Sequence, residues 1–355
     1  MDSPFIIINP AARSGRAGNF VEVLQELPGN PVIRLTTRPR EAEQFAREAI
    51  AQGYKKIVAA GGDGLINEVV NGIVSFDHSR PLFLKPPTGN EAQVAPAHKA
   101  GVYQEQAAAE MSELLLEEAS KEATLQFPSA VEISKRSTVA LGILPLGTMN
   151  VFASELKIPL DSLEAAWEII LKNRSRNIDL ACATHLETQQ QRFFVQLAGI
   201  GLDAEVLEET SNDFKMAFGP ISYFFSFLKV VLKKQPMFLL RCKESGEQKG
   251  SSILLGNGKF YGGAFPFFPE AALDDGHLHV LLFKHHHFWE LLGNLPALLI
   301  GKPKALRTVQ YFKTKELSVI PQDSRFKIPF ELDGEMVSYL PIKISIEKQK
   351  LSVLI

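Results

Sequence analysis

The segment KKIVAAGGDGLINEVVNGI, residues 55–73, constrains the fold of this chain more than any other. The apolar run KKIVAA (55–60) predicts a buried strand, which ends in Gly-Gly-Asp-Gly where a helical pattern begins. At the carboxyl end of such a strand, glycines let a ligand approach closely, and their N–H groups favour an anion. Asp63 fits an anion only if a cation accompanies it. A phosphate chain with Mg²⁺ meets both conditions.

The same loop also fits a structural interpretation, a tight turn in which Asp63 caps the helix, because short glycine motifs are weak evidence. Two similar loops favour the ligand site: NPAARSGRAG follows the first predicted strand, and LPLGTMN (144–150) follows a later one. Three such loops in one sheet would meet at one edge. The sequence has no G-x-x-x-x-G-K-[ST] motif, so this is not a P-loop protein.

Strand and helix signals alternate through the first part of the chain and predict a parallel α/β sheet. From about Asn177, short strands separated by turns, among them RFFVQLAGIG, PIKISIE and KLSVLI, predict an antiparallel sandwich or barrel-like second domain. A chain of 355 residues is expected to form about two domains. We place them at 1–157 and 158–355. A Pro-, Ala- and Glu-rich insertion at about 77–136 is assigned no chemistry.

Composition excludes several classes of function. A formal charge of -2 gives no sign of a nucleic-acid surface. Two cysteines, Cys182 and Cys242, exclude a disulfide framework and a Cys-based zinc site. The longest apolar stretch, PISYFFSFLKVVL (220–232), contains Lys229 and is too short to span a bilayer. We therefore expect a soluble, cytoplasmic protein.

Two acidic segments each have two interpretations. FELDGEMV (330–337) places Asp333 and Glu335 around a glycine, which indicates either a hairpin turn or a general base at a cleft. GNGKFYGGAFPFFPEAALDDGHLHV (256–280) contains Asp274 and Asp275. It indicates either a surface loop or a cation site built from Asp275 and backbone carbonyls.

Two further patterns are expected to carry no ligand. Gly199, Gly201 and Ala204 form a G-x-G-x-x-A pattern like a dinucleotide-binding loop, but they lie in the β-rich part of the chain. His285 to His287 are adjacent, and adjacent side chains on a regular element cannot all face one metal ion.

Five motifs together resemble the catalytic family of diacylglycerol kinases, especially the bacterial soluble lipid kinases and their sphingosine kinase and ceramide kinase relatives. NPAARSG resembles the family's NPxSG, and GGDGLINEVVNG its GGDGTxNEVxNG. LGILPLGTMNVFA resembles LGILPLGTxNDFA, the segment 256–280 resembles GNGxxYGGGxxxxPxAxLDDGxLxV, and LDGE contains the family's DGE. They occur in the family's order from residue 5 to about 337.

The resemblance implies an N-terminal domain of the phosphofructokinase or NAD-kinase type, a C-terminal β-sandwich, and ATP between them. By motif, the nucleotide contacts would come from Asn9, Pro10, Ser14, Gly15, Thr37, Gly61, Gly62, Asp63, Gly64, Asn67, Glu68, Gly147, Thr148 and Asn150. Asp63 would manage the phosphate-bound Mg²⁺, and Glu335, with Asp333 beside it, would accept the proton. A structural Mg²⁺ would be held by the Asp275 side chain and the main-chain oxygens of Ala272 and His277.

Three positions depart from the family's pattern. Leu65 stands where the family has Thr, which removes a hydroxyl, although sphingosine kinases also have Leu here. Val151 replaces an Asp that could help to recognise the acceptor, and Ala264 replaces a glycine.

The resulting prediction is an ATP-dependent lipid kinase that meets its substrate at a membrane surface, by peripheral contact at the inner face. The segment 214–236, which ends near Lys233 and Lys234, could make that contact or could be a core helix. The alternatives are a soluble-metabolite kinase of the NAD-kinase type and a regulator without turnover. The intact Asp63 and DGE motif argue against the regulator.

Overall fold

The computed structural model describes residues 3–9, 23–76, 139–202, 204–205, 236–284, 293, 296–297, 300–302 and 309–355. All of them belong to one compact unit. Several predicted features lie outside the described residues: Pro10, Ser14, Gly15, the insertion at 77–136, the segment 214–235, and His285 to His287.

The first four strands form the predicted parallel sheet. Strands β1 (Phe5–Ile8), β2 (Val32–Leu35), β3 (Lys56–Gly61) and β4 (Ala140–Pro145) pair in the order β2-β1-β3-β4, every pair parallel. Helices α1 (Glu41–Ala51) and α2 (Asp63–Phe76) follow β2 and β3. Because β3 and β4 are almost entirely buried, they read in sequence as continuous apolar runs.

Two further helices follow β4. Helix α3 (Val151–Glu155) is short. Helix α4 (Leu163–Lys172) is capped by Ser162, whose hydroxyl accepts a hydrogen bond from the Ala165 N–H. Asn173 ends α4 in the left-handed conformation. Trp167 and Ile170 of α4 belong to the buried core that covers the sheet.

The later strands form an antiparallel sandwich, as predicted. One sheet is antiparallel throughout and has the order β12 (Val309–Thr314), β11 (Leu278–Phe283), β10 (Ser252–Gly256), β7 (Leu197–Gly201), β14 (Pro329–Leu332) and β15 (Glu335–Tyr339). The sequence patterns had not indicated β12, because VQYFKT mixes polar and apolar residues.

The other layer continues the first sheet. Strand β16 (Ile342–Leu354) lies beside β4 and is followed by β13 (Glu316–Pro321), β8 (Phe238–Cys242) and β9 (Gly246–Gly250); β5 (Ser175–His185) pairs with β16 and with β6 (Gln191–Phe194). PIKISIE and KLSVLI, predicted as two strands, are one strand with a register shift between Glu347 and Leu351. Its end pairs in parallel with β4, so the first sheet is mixed.

The segment RFFVQLAGIG, predicted as one strand, changes sheet within its length. β6 belongs to the first sheet and β7 to the second. Gly199 and Gly201 lie in β7, which has antiparallel neighbours on both sides. The G-x-G-x-x-A pattern is therefore not part of a parallel dinucleotide-binding unit, as expected. No helix in the described part of the chain has the length and apolar character needed to span a bilayer.

Candidate active site

Two of the predicted glycine loops touch each other. β3 and β4 are adjacent, with Gly61 opposite Pro145, and the loops that follow them meet at Gly62 and Gly147. A Cβ atom on Gly62 would lie 3.2 Å from the Gly147 Cα, and one on Gly147 would collide with the Gly62 backbone. Gly147 therefore requires glycine, and a side chain at Gly62 would fit only if the Gly147 backbone moved by a few tenths of an ångström.

Asp63 joins the same two loops through its side chain. Its Oδ2 accepts a hydrogen bond from the Val151 N–H and its Oδ1 one from the Phe152 N–H, both at 3.0 Å. Asp63 therefore caps α3, although it begins α2. Each carboxylate oxygen keeps a second lone pair, so this cap still leaves acceptor positions for the cation of a nucleotide.

Asn150 fixes the loop LPLGTMN. It has a left-handed backbone, with φ 49°, and its side chain is buried. Its Oδ1 accepts the Gly147 N–H and its Nδ2 donates to the Gly147 carbonyl, both at 2.9 Å. The Gly147 N–H is thus bonded within the loop and does not face an anion. Thr148 is exposed.

The DGE segment is a hairpin turn. Asp333 and Gly334 are its central residues, both with positive φ (49° and 83°), and they connect β14 to β15. Asp333 as a whole residue is 7% exposed, and burial raises the pKa of its carboxyl group. The hydrogen bonds that it accepts act against this rise; they come from Asn67 Nδ2 at 2.7 Å, from the N–H groups of Val195 and Gln196 at 2.9 Å, and from that of Leu197 at 3.0 Å.

Glu335, unlike the buried Asp333, is partly exposed and lines the cleft. The turn carries it to the first turn of α2, where a Cβ on Gly64 would lie 2.6 Å from Glu335 Oε1. Gly64 thus lets the carboxylate approach the helix N-terminus. Of the predicted catalytic pair, Glu335 lines the cleft, whereas the Asp333 carboxylate is occupied by the turn and by Asn67.

The cleft at this edge of the sheet has a volume of about 410 Å³. The predicted residues on its walls are Asn9, Thr37, Glu68 and Glu335. Among the other lining residues, the sequence patterns had not pointed to Thr36 or to the three arginines Arg38, Arg40 and Arg192. A signal existed for Arg192, because a lone cation beside the apolar run FFV requires a buried partner.

Asn67 belongs to a buried polar network and does not open into the cleft. Its Nδ2 donates to the Phe193 carbonyl and to Asp333, and its Oδ1 accepts from Arg192 Nη2 at 3.0 Å and from Asn71 at 3.1 Å. Every hydrogen-bonding position of this amide is therefore filled. The Asn67 side chain therefore has no unoccupied polar atom for the implied nucleotide contact. It connects the two sheets instead.

Arg192 continues the network. Its Nη1 donates to Glu43 Oε2 at 2.9 Å, and both side chains are about 95% buried. Glu43 also pairs with Arg47. Arg192 thus bridges α1 and α2 from its position on β6, and its charge is compensated within the core.

Two glutamates, Glu68 and Glu41, accept hydrogen bonds from backbone N–H groups near the N-terminus of α1. The Glu68 carboxylate accepts hydrogen bonds from the N–H groups of Arg40 at 2.9 Å and Ala42 at 3.3 Å, and burial raises its pKa. Thr37 donates its hydroxyl to Glu41 Oε2 at 3.0 Å, and the Thr37 N–H bonded to the same carboxylate lowers the pKa of Glu41. Thr37 is exposed at the cleft.

The LDDG turn is closed by its own side chains. Asp275 Oδ1 accepts the His277 N–H and Oδ2 accepts from His279 Nε2, both at 2.8 Å. The ring of His279 is fully buried, which lowers its pKa, and its Nδ1 bonds to Tyr311 at 2.6 Å. The Ala272 carbonyl already accepts the Asp275 N–H at 3.1 Å.

These contacts close the turn without the implied structural Mg²⁺, and of the carboxylate they leave it one lone pair, on Asp275 Oδ1, since Oδ2 also accepts the Ala272 N–H at 3.4 Å. The carboxylate and one of the two carbonyls that would bind it are engaged in hydrogen bonds. No group of three or more His, Cys, Asp or Glu side chains that could hold a metal occurs among the described residues.

The three departures from the family's pattern have different surroundings. Leu65 lines the cleft and packs over Gly61, where a Cβ would lie 2.5 Å from Leu65 Cδ2. Val151 is buried and donates its N–H to Asp63. Ala264 is exposed in a turn, so its replacement of glycine fills no core.

Comparison with known proteins gives two family matches. The family described as "Diacylglycerol kinase catalytic domain" matches residues 3–183, and "YegS C-terminal NAD kinase beta sandwich-like domain" matches residues 197–355. The second match agrees with the antiparallel sandwich. Together they span nearly the whole chain.

Individual proteins agree with these matches. A Cronobacter sakazakii protein named "Probable lipid kinase YegS-like" is 27% identical over 97% of this chain and 92% of its own. A "Diacylglycerol kinase" of Staphylococcus carnosus is 25% identical over 90% and 82%. A crystal structure of a diacylglycerol kinase from Bacillus anthracis has a TM-score of 0.64, 19% identity and coverage of 99% and 96%, which shows a shared fold.

Proposed function

Because this chain belongs to the diacylglycerol kinase catalytic family, we propose that it is an ATP-dependent lipid kinase that phosphorylates a hydroxyl group of its acceptor. The observation that carries the proposal is the position of Glu335. Its carboxylate stands beside Gly64 at the N-terminus of α2, in a cleft bounded by the loop after β3. The proposed proton acceptor is thus adjacent to a helix N-terminus, which is suited to bind phosphate.

The donor side follows from the physics of phosphoryl transfer, in which positioning and charge neutralisation supply most of the rate. The first N–H groups of α2 have no partner within the helix and would face the phosphates. Asp63 would hold the accompanying Mg²⁺ through its remaining lone pairs; when bound, that ion offsets phosphate charge. The contact between Gly62 and Gly147 keeps both loops in place.

On the acceptor side, Glu335 would take the proton of the attacking hydroxyl. General-base assistance of this kind contributes about 10²- to 10⁴-fold in rate. Asp333 is a positioning residue, because its four hydrogen bonds fix the turn that presents Glu335. The acceptor would be diacylglycerol, a sphingoid base or a related lipid met at a membrane surface by peripheral contact.

The decisive experiment is transfer of labelled phosphate from γ-labelled ATP with Mg²⁺ to micellar lipids. Diacylglycerol, monoacylglycerol, sphingosine and ceramide are tested beside NAD and a control without lipid. Label in one lipid, lost in Glu335→Gln, would support the proposal and name the acceptor. Label on NAD alone would indicate a soluble-metabolite kinase instead. ATP binding without any transfer would support a regulator and would turn attention to Leu65 and Val151.

A further inference from the structure

Arg40 has a backbone conformation that is unusual for its residue type. It precedes α1 with φ 67° and ψ 3°, in the left-handed region. Glycine adopts this conformation without strain, whereas a residue with a longer side chain does so less readily. Such residues concentrate at binding and catalytic sites, so the side chain of Arg40 needs an explanation.

Arg40 lines the cleft together with Glu68, Glu335 and two other arginines, Arg38 and Arg192. Arg38 is exposed and pairs with Glu41. The charge of Arg192 is already compensated by Glu43, and the Glu68 carboxylate accepts backbone N–H groups. Within the described part of the chain, no carboxylate forms an ion pair with the Arg40 guanidinium. Burial and the neighbouring Arg192 lower the pKa of Arg40, and the charges of Glu43, Glu68 and Glu335 act in the opposite direction.

The charges in the cleft make a cation necessary for the proposed reaction. Glu68 and Glu335 would both repel the phosphates of a nucleotide. A guanidinium near Glu335 would offset that repulsion where negative charge accumulates during transfer. Its planar set of donors also matches the geometry of phosphate oxygens.

We propose that Arg40 binds the γ-phosphate of the nucleotide and orients it towards Glu335. This inference rests on the proposed function. It concerns binding, however, so it can be tested without turnover.

The test is calorimetric titration of the full-length protein with three probes: the β,γ-imido analogue of ATP with Mg²⁺, ADP with Mg²⁺, and adenosine. Arg40→Gly removes the cation and suits the left-handed backbone. We expect it to bind the imido analogue about ten- to hundred-fold more weakly, the range for a hydrogen bond to a charged group. The loss for ADP is smaller, and adenosine binding does not change.

Lys157→Gly is the matched control. Lys157 is also a cation in the left-handed region, with φ 59°, but it is exposed at the end of α3 and does not line the cleft. This variant should bind all three probes like the wild type. Neither variant should unfold at a lower temperature, because glycine suits both positions. Arg40→Lys should recover part of the affinity, since it keeps the charge without the planar donors.

Unchanged affinity of Arg40→Gly for the imido analogue would overturn the inference. An equal loss for adenosine would also overturn it, because Arg40 would then shape the base site. If the expected pattern appears but no lipid is phosphorylated, the inference about Arg40 stands and the proposed function fails. If the wild type binds no nucleotide, both are wrong.

Discussion

Asp333→Asn isolates the hydrogen bonds that fix the turn before Glu335. Asparagine has nearly the same shape as aspartate and tolerates the left-handed conformation, so the backbone is little affected. Each oxygen of Asp333 accepts two hydrogen bonds. Whichever way the new amide is oriented, its NH₂ group meets two donors. Two buried groups then lose their acceptor, at about 1–3 kcal/mol each, so we expect a loss of about 2–6 kcal/mol of stability.

Urea unfolding followed by circular dichroism measures this loss as a fall in the midpoint at unchanged slope. Asp323→Asn is the control, because Asp323 lies at the surface, where an ion pair with Arg325 contributes little. A loss below about 1 kcal/mol for Asp333→Asn would refute the argument, since it would mean that the four bonds do not hold the turn. An equal loss in both variants would indicate a general effect of the lost charge.

Three other predictions address the site directly. Glu335→Gln should lower turnover by about 10²- to 10⁴-fold, because the proposed proton acceptor is lost. Its melting temperature should not change, because no hydrogen bond to this carboxylate comes from the described residues. Near-normal turnover would contradict the role of Glu335. Asp63→Ala should abolish turnover. It should also destabilise the protein by about 0.5–2 kcal/mol in thermal unfolding, because α3 loses its cap. A fully active variant would show that Asp63 is not part of the site. Chelation of divalent cations should stop transfer without lowering the melting temperature, since Asp275 is bonded to His277 and His279; a fall reversed by Mg²⁺ would show a structural ion.

The sequence predicted the parts of the fold that depend on local pattern. The buried runs at β3 and β4 identified the parallel sheet, because a strand covered on both faces has few polar residues. The pairing of β16 with β4 was not predictable, because parallel pairing between residues as distant as Ala140 and Ser352 leaves no local signal. Likewise, RFFVQLAGIG reads as one strand, and only the tertiary structure shows that it changes sheet.

The residues of the candidate site likewise divide into those that a local sequence pattern predicts and those that depend on tertiary contacts. The motifs located the glycine loops and the turn at Asp333, since both depend on backbone conformation that short sequences encode. They did not show which polar groups are already occupied. Asn67 was expected at the nucleotide, but its partners Arg192 and Asp333 come from distant segments. Arg40 was missed because a left-handed arginine has no sequence signature.

Four acidic residues of the motifs, Asp63, Glu68, Asp333 and Glu335, differ in the hydrogen bonds that their carboxylates accept. The motifs alone do not show this difference. Asp63 caps α3, Glu68 caps α1, and Asp333 accepts four hydrogen bonds in the turn. A general base needs a lone pair that faces its substrate. The four lone pairs of Asp333 are all occupied, whereas Asp63 and Glu68 keep one on each oxygen but are held by the helices that they cap. Glu335 lines the cleft and accepts no hydrogen bond from the described residues. This difference in environment favours Glu335 as the proposed proton acceptor, and the four hydrogen bonds to Asp333 hold the turn that presents it.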